Sequence, residues 1–387
     1  MKIAILTQPL HTNYGGLIQA YALQLTLKRM GHEVFTVDRR RRGQPNILIP
    51  KAKAILKRAF LRWALRRKDI PTLNPFWMTD EDRKYISRHL TDFIQHHIQM
   101  TELIQSSKEM EGLAKRLFDA YIVGSDQVWR PKYSPCLSNY FLDFLEPTDK
   151  AIRIAYAASF GTDVWEFNAR QTRRCAELAK RFNAVSVRED SAVRLCEKHL
   201  GVCAVQLVDP TLLLNAEDYR VLAKKEEVPE SAGKLAVYML DRSRQQKEAV
   251  ERLASDLGLS IKDLMPEKLA WETTRKDIEK CVFPSMGAWL GGFMGAKYVI
   301  TDSFHGTIFA TLFRKPFLTI SNKARGLTRL SSLLKRFGLE DRWVTSLEEV
   351  KKEKINKPIN FENVFRVLER EKRRALKFLS DAVGISS

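Results

Sequence analysis

Cysteine is scarce in this chain of 387 residues and poorly placed for any framework. Cys136, Cys175, Cys196, Cys203 and Cys281 are scattered, odd in number and include no Cys-x-x-Cys pair. That excludes a disulfide scaffold and a cysteine-ligated zinc site, and leaves buried thiols. Long apolar runs are missing too. No run reaches the roughly 18 or more uncharged apolar residues of a spanning helix. The start, Met1-Lys2-Ile3-Ala4-Ile5-Leu6, carries one charge and too short an apolar run for a secretory signal, so a cytoplasmic protein is expected. There is no Gly-x-Gly-x-x-Gly and no P-loop, so no motif supports nucleotide binding. No His-Glu-x-x-His helix and no Ser-His-Asp order demands a zinc enzyme or a hydrolase. No metal and no cofactor are expected.

What remains is a soluble globular composition, 44% hydrophobic and 29% charged, with enough chain for two domains. The net charge of +19 is unevenly placed. Twelve Lys and Arg and no acid lie between Arg39 and Lys68, which is more than half of the excess. A concentrated charge points to one local anionic surface rather than to nucleic acid. Within it, Ala52, Ile55, Leu56, Ala59, Phe60 and Trp63 recur at helical spacing. Lys53, Lys57, Arg58, Arg62 and Arg66 lie largely on the remaining faces. Such a helix over 51–68 suits an anionic membrane surface, with rings at headgroup level. A helix packed on its domain with a solvated cationic face is the next reading, and a docking site for a protein the last. No helix-turn-helix or RRM-like aromatic pattern supports nucleic acid.

Alternation of apolar runs predicts the architecture. Lys2–Thr7 reads as a strand, Gly15-Gly16 as a turn, Leu17–Met30 as a helix closed by Gly31, and Glu33–Asp38 as a second strand. Further strands are predicted at Phe118–Val123, Ile152–Ala158, Ala184–Val187 and Val205–Val208. A helix is predicted from about Ser191 to His199. Polar clusters sit at the carboxyl ends of these strands, the edge at which open α/β sheets bind ligands. Leu222–Lys234 is polar, with Pro and Gly, and reads as a linker. A second series follows, with strands at Leu235–Leu240, Leu259–Leu264, Tyr298–Thr301 and Phe317–Ile320. Its helices are Arg244–Leu257, Ala288–Gly295, Thr307–Phe313, Leu327–Phe337 and a basic terminal Phe361–Leu379. The expectation is a domain over 1–222 with a basic helical insert at 39–115, a second over 235–345, and a helical segment over 346–387.

Four clusters carry candidate chemistry. Asn13-Tyr14-Gly15-Gly16 joins a strand to a helix, where glycines let backbone approach a ligand and a helix N-terminus favours oxygen-rich groups; a plain tight turn explains it equally well. Asp126, Gln127 and Trp129 offer a carboxylate, an amide and an indole, a set suited to a sugar's hydroxyls and apolar face, or to a capped loop with a core Trp. Arg188 stands between a strand end and a helix start, where its fork can clamp carboxylate or phosphate or serve only as a surface ion pair. His305 follows the strand Tyr298-Val299-Ile300-Thr301 and precedes an apolar helix; alone it reads more readily as a structural histidine. Lys323 and Arg325 end the next strand, and parallel strands point their carboxyl ends the same way. A histidine among cations suits an anionic substrate that must be protonated.

Together these segments resemble the polysaccharide pyruvyl transferase family. The resemblance runs from about Lys2 to Leu334. It is carried by Asn13-Tyr14-Gly15-Gly16 with Gln19-Ala20-Tyr21-Ala22-Leu23-Gln24, Val123-Gly124-Ser125-Asp126-Gln127-Val128-Trp129 and Ala157-Ala158-Ser159-Phe160-Gly161. Val187-Arg188-Glu189-Asp190-Ser191, Asp209-Pro210-Thr211 and Ser303-Phe304-His305-Gly306 complete it. Each is weak alone, and the order makes the set specific.

The resemblance implies two Rossmann-like domains facing a cleft, as in GT-B glycosyltransferases. It implies phosphoenolpyruvate as donor, and two hydroxyls of a capsule, exopolysaccharide or cell-wall sugar as acceptor, free or linked to polyprenyl pyrophosphate. The product would be a pyruvate ketal, with phosphate released. His305 matches the family histidine, Arg188 its arginine after a strand, and Lys323 or Arg325 its downstream cation. Ser303 departs from the pattern, because many members have arginine there. The expected roles are His305 and Asp126 in catalysis, Arg188, Ser303, Lys323 and Arg325 at the donor, and Asn13, Tyr14, Gly15, Gly16, Gln127 and Trp129 at the acceptor. Two rival readings stay open: a glycosyltransferase on the same architecture using a nucleotide sugar, and a non-catalytic glycan or lipid-carrier binding protein.

Overall fold

The computed structural model describes residues 1–41, 60, 62–63, 78–224, 233–270, 275–321, 327–348 and 350–384. Two parallel sheets organise them. In the first, β1 (Lys2–Leu6) lies between β2 (Glu33–Thr36) and β3 (Ala120–Val123), and β4 (Ile152–Ala158), β5 (Ala184–Val187) and β6 (Val205–Gln206) follow outward. In the second, β7 (Leu235–Tyr238) lies between β8 (Ile261–Asp263) and β9 (Tyr298–Thr301), with β10 (Phe317–Ile320) and β11 (Trp343–Val344) beyond. The central strands are continuous apolar runs because helices cover both faces: β3, β7, β9 and β10 are buried throughout. The expectation of an α/β chain with two Rossmann-like parallel sheets flanking a cleft is met.

Both sheets place their first strand between the second and third. The connections therefore leave in opposite directions at β1/β3 and at β7/β9, and each sheet opens a crevice there at its carboxyl edge. The two crevices face each other. Among the described residues, the chain finally returns to the first sheet through α12 (Phe361–Ala382). Its buried Val364, Leu368, Ala375 and Leu379 form one face, and Phe378 approaches Tyr156 of β4 at 6.4 Å between ring centroids.

Most elements lie where periodicity puts them, and the differences fall at helix starts. Helix α1 runs Tyr14–Arg29, so Gly15 and Gly16 are in its first turn and not in a preceding loop. The Asn13 carbonyl already accepts from Leu17 N–H, which closes that turn. Helix α9 runs Phe304–Leu312, with Ser303 as N-cap accepting from Gly306 N–H, so His305 is inside the helix rather than before it. Helix α8, Met286–Gly295, likewise starts early on its cap Ser285. The helix after Arg188, α5 (Asp190–Leu195), passes into a π turn over Cys196–Leu200, which ends at Gly201 in the left-handed region, φ +66°. The expected linker overlaps α6 (Ala216–Lys224), and 225–232 lie outside the described residues.

The insert contains α2 (Asp80–His97), opened by a reciprocal cap between Thr79 and Asp82, and α3 (Ser107–Ala114). Of the basic stretch 51–68 only Phe60, Arg62 and Trp63 are described, and both aromatic side chains are exposed.

Candidate active site

The facing crevices form one cleft of about 500 Å³. Gln8 enters it from the end of β1, Asp126 and Gln127 from β3, Leu240 from β7, and Asp302 and Ser303 from β9. The Asp302 carboxylate accepts from the backbone N–H groups of Leu240 and Asp241 at 2.7 and 2.8 Å, which locks the rim of the second crevice. Gln8 donates to the Gln127 carbonyl at 2.8 Å and does the same for the first.

His305 sits at the second position of α9, 94% buried, on the wall of this cleft. The first sheet's α1 meets it N-terminus to N-terminus. A β-carbon on Gly15 would fall 2.0 Å from the imidazole Nδ1, so only glycine permits the approach. The other ring nitrogen, Nε2, has no hydrogen-bond partner, and its nearest carboxylate is Asp209 at 3.6 Å, on the loop after β6. The histidine thus belongs to one domain and its facing carboxylate to the other.

Behind it lies a buried charge cluster. Arg188 donates to Asp209 at 2.6 Å and to Asp126 at 3.3 Å, with Glu189 at 3.8 Å, and its side chain is 2% exposed. Arg329, in the first helical turn of α10 (Leu327–Phe337), reaches Asp126 at 3.8 Å and lines the cleft. The Phe304 ring takes both guanidinium groups, Arg188 at 4.6 Å and Arg329 at 5.8 Å.

Burial pushes the Asp209 carboxyl upward, but His305, Arg188 and the Thr211 N–H together hold it well below the carboxylate range. Burial acts the same way on Asp126, where Arg188, Arg329 and His305 prevail and hold it low. For Glu189 burial wins and the carboxyl is raised, against Arg188 and a hydrogen bond from Ser159. Burial and the neighbouring Arg188 bring Arg329 down to about 10, so it is still charged at neutral pH.

The geometry sorts the sequence candidates. His305, Asp126, Ser303, Asn13, Gly16 and Gln127 all line the cleft. Asn13 caps α1 without using its side chain for the cap, and it lines the cavity. Gly15 touches His305. Three candidates lie elsewhere. Trp129 is 1% exposed, donates to the Tyr140 carbonyl at 2.9 Å and stacks on Phe141; it is a core residue and not an acceptor platform. Tyr14 stacks on Trp289 at 5.0 Å and donates to the Pro284 carbonyl, so it joins the two domains rather than facing the cleft. Arg188 is enclosed among carboxylates and does not line the cavity.

Lys323 and Arg325 lie outside the described residues. Two residues that the fold brings to the site were not among the sequence candidates. Asp209 stands in the motif Asp209-Pro210-Thr211 but reaches His305 only through the fold, and Arg329 is one basic residue among several on an amphipathic helix. No group of three or more His, Cys, Asp or Glu side chains among the described residues is placed to hold a metal ion.

Residues 13–324 match the profile of the polysaccharide pyruvyl transferases, and this span takes in the cleft's Asn13, Asp126 and His305 as well as Arg188 and Asp209 behind it. The chain belongs to the polysaccharide pyruvyl transferase family. Its general activity is therefore pyruvyl transfer to a polysaccharide. No curated protein matches it at a significant level.

Among solved structures, it is similar to the UDP-GlcNAc 2-epimerase of Neisseria meningitidis bound to UDP-GlcNAc. That likeness has a TM-score of 0.49 and 11% identity, over 100% of this chain and 96% of the other. It is also similar to UGT89C1 of Arabidopsis thaliana complexed with UDP, at a TM-score of 0.49 and 10% identity over 99% of each chain. No helix of the described residues is long and apolar enough to cross a membrane.

Proposed function

We propose that this pyruvyl transferase takes phosphoenolpyruvate as donor and closes a pyruvate ketal on two hydroxyls of a cell-surface sugar, releasing phosphate. The observation that carries the reading is the buried Nε2 of His305, without a hydrogen-bond partner, on the wall of a polar cleft and facing Asp209 across the domain boundary. That is where a proton donor to a substrate is useful, with Asp209 at ion-pair distance to support the imidazolium.

In this reaction the imidazolium of His305 gives its proton to the methylene carbon of the donor. The carbon bearing phosphate becomes oxocarbenium-like, and a sugar hydroxyl attacks it, forming the first C–O bond. The hydroxyl proton returns to His305. The second hydroxyl then forms the second C–O bond as the bond to phosphate breaks, and its proton leaves with the phosphate.

Asp126 orients a hydroxyl in this scheme. The cations that keep it ionised also make it a poor proton acceptor, which argues against its use as the base. Asn13 and Gln127 supply amides to the acceptor, and Ser303 stands at the donor end. Lys323 and Arg325 are assigned to the donor on sequence alone. Arg188 acts by fixing Asp126 and Asp209, not by touching the donor.

A second cavity of about 920 Å³ shares His11 with the cleft and is lined by Leu10, Ile86, Ile94, Met100 and Phe283, with Arg40, Arg83 and Lys84 at its polar positions. An apolar cavity with cations beside the sugar site supports an acceptor linked to polyprenyl pyrophosphate. The exposed Phe60 and Trp63 in the basic stretch support work at an anionic membrane surface. The deciding assay is acceptor-dependent phosphate release from phosphoenolpyruvate. Release of nucleotide from a nucleotide sugar, without phosphate release, would instead make the protein a glycosyltransferase.

A further inference from the structure

A sugar has two kinds of surface, hydroxyls around its rim and an apolar C–H face, and a cleft that binds it must meet both. In the proposed reaction Asn13 and Gln127 meet the hydroxyls. Trp129, the indole of the same motif, is enclosed in the core and cannot meet the apolar face. Besides the two histidines, two aromatic side chains line the cleft among the described residues, Tyr133 and Phe304. Phe304 is 8% exposed, and its ring already carries Arg188 and Arg329. Tyr133 is 37% exposed.

Resting on the pyruvyl-transfer reading, we infer that the Tyr133 ring is the platform for the apolar face of the acceptor's pyranose. The loop that carries it is fixed on several sides. Tyr133 and Ser134 donate their backbone N–H groups to the Arg130 carbonyl at 3.0 and 3.2 Å, which closes a turn. Ser134 is buried. Its hydroxyl donates to the Val128 carbonyl and accepts from Gln8 at 3.0 Å, and its carbonyl accepts from Arg41 at 2.9 Å.

Arg130 holds the side chains as well. Its guanidinium lies 5.0 Å from the centroid of the Tyr133 ring, donates twice to Glu166 at 3.0 Å, and donates to the Gln127 Oε1 at 3.0 Å. One cation therefore fixes both the ring and the neighbouring amide. A tyrosine held in this way loses little further freedom on binding and offers a π surface to C–H groups. Tyr133 stands on the first-domain wall and His305 on the second, so the sugar is held by one domain and reacts against the other.

The test uses the full chain and two probes with a diol at C4 and C6, methyl β-D-glucopyranoside and methyl β-D-galactopyranoside. The readouts are NMR saturation transfer from the protein to the sugar's C–H protons, and the sugar KM in phosphate release from phosphoenolpyruvate. Tyr133→Ala is expected to remove most of the transfer and to raise the sugar KM roughly 5- to 30-fold, the size of one lost aromatic contact. The KM for phosphoenolpyruvate and the unfolding transition should stay unchanged. Tyr133→Phe, which keeps the ring, should retain both transfer and KM. Undiminished transfer and KM in the Ala variant overturn the inference. Equal losses in the Ala and Phe variants do so too, because the hydroxyl would then be the contact. Absence of transfer to both sugars from the wild-type chain also overturns it. Transfer that depends on Tyr133, with no phosphate release from phosphoenolpyruvate, leaves the platform standing and fails the donor reading.

Discussion

Gly15 and His305 belong to different domains, yet they approach so closely that no side chain could be placed between them. The start of α1 and the start of α9 are pressed together at this point, so the histidine's position depends on the first domain as much as on its own helix. Gly15→Ala should therefore displace the imidazole. Overpacking of this kind costs about 1–3 kcal/mol. The expected result is a modest fall in Tm with a kcat loss of at least about tenfold, since a small misplacement of a catalytic group is amplified in rate. Phosphate release and thermal unfolding on the same sample check both halves. Full activity would mean that the contact does not position His305.

Arg188 holds two carboxylates at once, and removing it should be felt as stability before it is felt as substrate binding. Breaking a buried ion pair from one side costs about 3–5 kcal/mol, because the remaining charges are uncompensated. Arg188→Met is expected to lower the denaturation midpoint strongly. Arg188→Lys should recover part of it, since one ammonium cannot bridge Asp126 and Asp209 as a fork does. A midpoint near wild type for the Met variant would contradict the cluster's structural role.

Acid sensitivity follows from the same cluster. Asp126 and Asp209 are both held below their ordinary range in the folded chain: burial opposes this, and the surrounding cations prevail. The unfolded chain then binds protons more readily on the acid side. The stability these groups give is complete above the unfolded carboxyl value of about 3.9 and is lost as pH falls through their lower folded values. Calorimetry should show a Tm that is level down to about pH 4 on this count and falls below it. Asp209→Asn should lower Tm at neutral pH and make the acid decline shallower. Parallel curves for the variant and the wild type would refute the assignment.

The sheets were legible because their strands are unbroken apolar runs between polar loops, as Tyr298–Thr301 and Phe317–Ile320 show, both found at the expected bounds. Helix starts were less legible. Gly15 and Gly16 have poor helix propensity and were expected in a turn, but burial under the second domain and the closed Asn13–Leu17 turn override it.

At the site, the short clusters identified which residues come together and misjudged what some of them do. Trp129 and Arg188 have residue types suited to a sugar and an anion. Sequence holds no sign that the indole is covered by Phe141 or that two aspartates from distant loops enclose the guanidinium. Asp209 and Arg329 were missed for the converse reason: their partners lie in the other domain, 96 and 203 residues away along the chain.

The most direct measurement is phosphate release from phosphoenolpyruvate by the wild-type chain and by His305→Ala, each with and without a diol-bearing sugar acceptor. General acid–base catalysis by a positioned side chain contributes about 10²–10⁴-fold. Acceptor-dependent release is expected from the wild type, with a loss of that size in the variant and an unchanged unfolding transition. Equal release by the two, with both folded, would contradict the assignment of His305 as the proton donor.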